Sequence, residues 1–209
     1  MSLTEFEFKI INMYATSEFL GGLKLGNFAR IISDSQLKLK LLWHCQEEIR
    51  HGIMLYNFLK KFNKNIDTLR GKIESNFPNF FSNFTNDEIE FLIMVHLFEL
   101  RAPFNYKILQ KYIANKELSE IANLLIEDED SHLKWIREFL QKKQIENNEK
   151  IRELFKKNIK NEKRDYERDL NIVMSLGNEG KEFVKLVNES LPKYETYLKN
   201  YIYQSFNIN

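Results

Sequence analysis

The chain has 209 residues, enough to bury one substantial core, with a formal net charge of +1 and a single cysteine. So small a net charge excludes a bulk field that would demand a nucleic-acid or anionic-membrane partner, and one cysteine excludes an internal disulfide, which fits a reducing cytoplasm. Seven glycines and three prolines are few for this length, while Leu, Ile, Phe, Glu and Lys are plentiful, so an all-α fold is expected.

From Glu5 to about Ile32, the residues Phe6, Ile10, Met13, Tyr14, Leu20, Leu25 and Phe28 recur at three- and four-residue steps, the period of a helix with one buried face. Ser33-Asp34-Ser35 supplies short polar side chains for a turn and an N-cap, and Leu37, Leu41, Cys45, Ile49 and Leu55 carry a second helix toward Phe62. Asn63 to Phe84 holds Gly71, Pro78 and many asparagines without a sustained period, and reads as a long connection. Thr85 with Glu88 has the spacing of a capping box and opens a third helix from Ile89 to about Ala114. Its most apolar stretch, Glu90 to Leu100, is interrupted by His96 and Glu99 and falls short of the roughly 20 residues a membrane span needs. With nothing at the N-terminus that reads as a secretion leader, a soluble cytoplasmic protein is expected.

Asn115-Lys116 breaks the pattern before Leu118, Ile121, Leu125, Asp128, His132, Trp135 and Phe139 mark a fourth helix ending near Gln141. Connections this short make neighbouring helices antiparallel. From Lys142 to Arg168 there are ten Lys or Arg and six Asp or Glu, with a sparse stripe of Ile145, Ile151, Leu154, Phe155, Ile159 and Tyr166. That pattern suits a solvated helix packed by a narrow face, or a basic binding surface. Gly177-Asn178-Glu179-Gly180 breaks the chain again, and a last helix from Lys181 to about Tyr203 carries Phe183, Leu186, Val187, Tyr194, Leu198 and Tyr201. The expectation is one domain over 1–209, with two antiparallel hairpins joined by a long crossover in 1–141 and a helical extension in 142–209 packed on them.

The second helix of each hairpin carries a Glu-x-x-His motif, Glu48 to His51 and Glu129 to His132, whose three-residue spacing sets both side chains on one helix face. Residues equidistant from a hairpin turn lie side by side. The midpoint of 18 and 48 is 33, inside Ser33-Asp34-Ser35, and the midpoint of 99 and 129 is 114, beside Asn115-Lys116, so Glu18 is expected beside Glu48 and Glu99 beside Glu129. Docking the hairpins would gather four carboxylates and two imidazoles, the ligand plan of a dinuclear iron or Fe/Mn carboxylate centre. Without metal, that many buried carboxylates would repel one another and carry a heavy desolvation cost. Glu99 lies in the apolar run Phe91 to Leu100 and needs a cation or a hydrogen-bond partner, since Arg101 is too close in sequence to face the same way.

Glu47 could replace Glu48, and Asp128 could replace Glu129. His44 and His96 fall one turn before Glu48 and Glu99, where they would orient a ligand, add a nitrogen donor or simply pack in the core. Tyr14 and Trp135 are redox-active neighbours or core residues, and Cys45 reads as an inert buried thiol. Gly21 and Gly22 would leave space for metal or substrate, or allow close helix packing.

The strings Gln46-Glu47-Glu48-Ile49-Arg50-His51 and Glu127-Asp128-Glu129-Asp130-Ser131-His132, with Glu18 and Glu99 upstream, resemble the ferritin-like di-iron superfamily over about residues 5 to 140. Within it, Glu48-Ile49-Arg50-His51 and Phe98-Glu99-Leu100-Arg101-Ala102 look most like the bacterial tRNA hydroxylases, with rubrerythrins and aldehyde-deformylating oxygenases more distant. The resemblance implies a ferritin-like four-helix bundle, two iron ions with Fe/Mn or Mn as variants, and O2 activation with an external electron donor. One cysteine cannot supply the added rubredoxin site of rubrerythrins, and the C-terminal helices have no counterpart in a minimal four-helix subunit.

The function expected is therefore a di-iron oxidase or oxygenase, a hydroxylase among them, acting on an organic substrate as a monomer or homodimer. An iron-handling or peroxide-scavenging protein without organic substrate is the alternative, and a non-catalytic helical interaction module is the second. A tRNA-directed enzyme would use the basic stretch around Lys156, Lys157, Lys160, Lys163 and Arg164.

Overall fold

The computed structural model describes residues 2–62, 85–191 and 194–208, and every regular element among them is an α-helix. The connection expected over Asn63 to Phe84 lies outside the described residues. Two compact units are formed, residues 1–81 with 113–121 and residues 82–112 with 122–209.

The first unit is dominated by α1 (Glu5–Ile31) and α2 (Ser35–Lys60). Thr4 opens α1 with a capping box: its hydroxyl accepts from the Glu7 amide at 3.1 Å and the Glu7 carboxylate accepts from the Thr4 amide at 2.7 Å. Asp34 caps α2 by accepting from the Gln36 and Leu37 amides at 2.9 and 3.0 Å. The short polar turn folds the helices into a hairpin whose facing sides bury Ile10, Leu25 and Phe28 on α1 and Leu41, Leu55 and Leu59 on α2. Lys61, just past α2, pairs with Glu117.

The second unit contains α3 (Glu88–Glu99), α4 (Ala102–Tyr112), most of α5 (Lys116–Met174), α6 (Asn178–Ser190) and α7 (Tyr194–Phe206). Asp87, not Thr85, caps α3, accepting from the Ile89 and Glu90 amides at 2.9 and 3.2 Å, while the Thr85 hydroxyl accepts from the Asp87 amide. The single helix expected from Ile89 to Ala114 is broken at Leu100-Arg101. Pro103 explains the break, since it has no N–H for the Glu99 carbonyl and its ring would crowd that oxygen in a continuous helix. As the second residue of α4 it sits where the missing donor costs little.

The fourth helix does not end near Gln141. It runs on to Met174, with one non-helical residue, Asn147 (φ −128°, ψ 31°), whose side-chain amide donates to the Lys143 carbonyl at 3.0 Å. Beyond that kink Ile151, Phe155, Ile159 and Tyr166 are buried as the narrow stripe requires, but Ile145, before it, is 84% exposed. Part of the basic stretch is engaged within the unit: Lys143 pairs with Glu88 and Lys157 with Glu90, both at 2.6 Å, and Lys150 pairs with Asp87. Gly177 makes the turn into α6 at φ +108°, a left-handed value that favours glycine. The last expected helix is two, because helical backbone is disfavoured at Leu191 before Pro192, and Leu191 adopts φ −131°, ψ 61°. No helix among the described residues is long and apolar enough to cross a membrane.

Candidate metal centre

In the first unit α1 presents Glu18, while α2 presents His44, Glu48 and His51 at steps of four and three residues along one face. None of the four is more than 6% exposed. Glu18 Oε2 lies 3.2 Å from His51 Nδ1, and Glu48 Oε1 lies 3.8 Å from the same nitrogen. His44 Nε2 stands 3.5 Å from Glu48 Oε1. The pairing of Glu18 with the α2 motif across the Ser33-Asp34-Ser35 turn is thus realised. Gly21 makes room for it, because a Cβ there would come to 3.0 Å from Glu48 Oε2. Gly22 serves the other purpose anticipated for this pair, since a Cβ there would meet the Cys45 carbonyl oxygen at 3.0 Å and close packing requires its absence.

In the second unit Glu99 is the last residue of α3, and Glu129 and His132 share one turn of α5. All three are at most 3% exposed. His132 Nδ1 is 3.4 Å from Glu129 Oε2, and Glu99 and His132 offer donor atoms within 4.8 Å of each other. The helix break places Glu99 at a corner, and Arg101 just past it turns to other partners, Glu162 Oε1 at 3.5 Å and Asp169 Oδ2 at 3.0 Å. Tyr194 donates to Glu162 Oε1 at 2.9 Å, and its hydroxyl also lies 3.5 Å from the Leu97 carbonyl oxygen. Burial raises the Glu162 pKa to about 7, with Arg101 and Tyr194 opposing the shift. This cluster had no sequence signal: Glu162 sits in a stretch that reads as solvated, and its partner is 61 positions away.

Burial separates the close alternatives. Glu47 and Asp128 are partly exposed, whereas Glu48 and Glu129 are 3% and 1% exposed. His96 is fully buried with its ring 5.5 Å from Tyr201 and 6.0 Å from Phe206, and neither ring nitrogen has a hydrogen-bond partner among the described residues. Burial, reinforced by the Arg137 charge, pushes its pKa down to about 3, so it is a neutral ring in an aromatic setting. Tyr14 and Trp135 are partly buried. Cys45, expected as an inert buried thiol, is half-buried, and desolvation raises its thiol pKa, which keeps it protonated.

Glu18 and Glu48 lie together beside imidazole in the first unit, Glu99 and Glu129 each lie near His132 in the second, and these buried Glu and His groups could hold a metal ion. A divalent cation fits the donor set, since it would offset the desolvation and mutual repulsion of the buried carboxylates. No family model matches the chain, and no curated protein matches it.

Proposed function

We propose that the protein is a non-haem dinuclear metal oxidoreductase of ferritin-like plan, an O2-activating oxidase or oxygenase. Glu18, Glu48 and His51 supply one half of its centre, and Glu99, Glu129 and His132 the other. The observation that carries this reading is the repetition: two buried Glu-x-x-His pairs on separate helices, each in a unit that buries a further glutamate from another helix.

Carboxylate and imidazole donors suit iron and manganese, so the cofactor is two Fe, with Fe/Mn or Mn as variants. Bound at such a site, the pair supplies the one-electron redox steps that O2 reduction requires, the electrons coming from an external donor. The chain's part is positional. His51 and His132 each anchor one cation. Their near-zero exposure keeps bulk water from the donors and strengthens every charge interaction among them. Gly21 leaves Glu48 the free space beside its carboxylate in which the side chain can swing as the charge to be neutralised changes.

The test is metal analysis of protein purified without oxygen, followed by the optical spectrum on exposure to air. About two metals per chain are expected, with near-ultraviolet charge-transfer absorption developing in air. Glu48→Ala and His132→Ala are expected to lose metal. Full occupancy in both variants, or a wild type that takes up none, refutes the assignment. Oxygen uptake that depends on an added organic substrate separates an oxygenase from an iron-handling protein.

A further inference from the structure

The second helix, α2, is apolar on two sides. Its inner side buries Leu41, Leu55 and Leu59 and carries His44, Glu48 and His51 along the same face. The other side repeats Leu39, Leu42, Gln46, Ile49, Ile53 and Tyr56 at alternating steps of three and four residues, the spacing of a coiled-coil seam. Leu39, Leu42 and Ile53 are 53%, 44% and 45% exposed, Gln46 is exposed, and Ile49 and Tyr56 are half-buried. Scattered apolar residues on a surface are ordinary and need no partner. A 3–4 repeat sustained over about five helical turns is different, because it has the shape and periodicity of a surface made for another helix.

The seam matches itself when two copies of α2 run antiparallel. With a twofold axis passing between residues 47 and 48, Leu39 falls level with Tyr56 of the second copy, Leu42 with its Ile53, and Gln46 with its Ile49. Four of the six layers so formed are wholly apolar, and the two with glutamine lie at the axis. The flanks agree with this register. Trp43, 68% exposed, comes within one turn of Arg50 on the second copy, which sets an indole face against a guanidinium twice in each dimer. Lys60, the last residue of α2, comes level with the start of the second copy's α2, where Asp34 is the cap, so opposite charges meet at both ends and the helix dipoles oppose.

We propose that a second copy of this chain covers the outer face of α2, in a twofold dimer whose centre is an antiparallel α2–α2 pair. The inference does not rest on the metal-centre assignment, since the seam and the candidate ligands occupy opposite sides of the helix. Leu39 to Lys60 spans about 33 Å of helix. One helix pair of that length is at the small end of specific interfaces, so the dimer is reversible, with a dissociation constant in the micromolar range.

The experiment is sedimentation equilibrium of the full chain from about 1 to 200 µM, a range that brackets the expected affinity. Wild type should move from the chain mass of 25.1 kDa toward twice that value as concentration rises. Leu42→Lys and Ile53→Glu should each weaken association about tenfold or more, because either change removes an apolar layer twice per dimer. Both side chains are exposed in the single chain, so circular dichroism of the variants should match wild type. Mixing the two variants should restore a dimer, since the introduced ammonium of one chain then faces the introduced carboxylate of the other while the remaining Leu–Ile layer is intact. A parallel pair, or contact through another face, would show no such rescue. Wild type that stays monomeric throughout, association that neither substitution weakens, or a mixture no better associated than its components would each overturn the proposal.

Discussion

Adjacent glycines on α1 are expected to respond to the same substitution in opposite ways. An alanine methyl at position 22 would lie 2.8 Å from Ile49 Cγ1, 3.0 Å from the Cys45 carbonyl oxygen and 3.3 Å from Glu48 Cβ. Ile49 can rotate, but the carbonyl is fixed in the α2 backbone, so the two helices must part. Overpacking of this kind costs about 1–3 kcal/mol, against a gain of about 1 kcal/mol for alanine over glycine in a helix. Gly22→Ala should therefore lose about 0–2 kcal/mol, at about 2–4 °C in Tm per kcal/mol for a chain of this size. At position 21 the close neighbour among the described residues is Glu48 Oε2, at 3.0 Å, the end of a flexible side chain. The propensity gain survives there, so Gly21→Ala should raise Tm by about 2–4 °C while displacing the Glu48 carboxylate and weakening cation binding. Circular dichroism melts of the metal-free variants and Mn(II) titration read both effects. A Gly22→Ala variant as stabilised as Gly21→Ala would refute the helix contact, and unchanged metal affinity in Gly21→Ala would refute the importance of that carboxylate's position.

Glu162 should make stability fall as pH rises. Its folded pKa of about 7 lies above the ordinary 4.5, so between those values the unfolded chain has released a proton that the folded chain retains. The contribution is present in full below about pH 4.5 and is lost as pH climbs through about 7. Urea unfolding of wild type and Glu162→Gln across pH 4.5–8 measures it, and a gap between the two that stays constant with pH would count against a raised pKa. His96→Phe should hold or raise Tm, because it exchanges a buried ring whose nitrogens have no hydrogen-bond partner among the described residues for an apolar one of similar shape. A loss above about 3 kcal/mol in chemical denaturation would show that the histidine makes an interaction worth more than the burial of its polar atoms costs.

The first hairpin was legible because its signals are local. Asp34 ends one helical period and caps the next, and the equal distances of Glu18 and Glu48 from that turn place them together before any tertiary contact is known. The helix ends at Leu100-Arg101 and at Leu191 are hidden in the sequence by apolar periods that run straight through them, although the proline that follows each carries its own stop signal. α5 misled in the opposite sense: its polar middle looks like an ending, yet the helix passes through with one residue out of helical geometry at Asn147. His44 and His96 each fall one turn before a candidate ligand, and packing tells them apart, since one faces Glu48 and the other lies beside Tyr201 and Phe206. Arg101, Glu162, Asp169 and Tyr194 come together over long sequence separations, which no periodicity encodes.

The Arg101 cluster also bears on how the chain can be cut. Both counter-charges of the buried Arg101 guanidinium, Glu162 and Asp169, come from the part of α5 beyond the Asn147 kink. A fragment ending at residue 141 would keep all six expected ligands but lose both counter-charges of a cation two residues from Glu99, together with the Tyr166 ring that lies against it. Residues 142–209 therefore supply the counter-charges of the cation beside the corner where Glu99 stands.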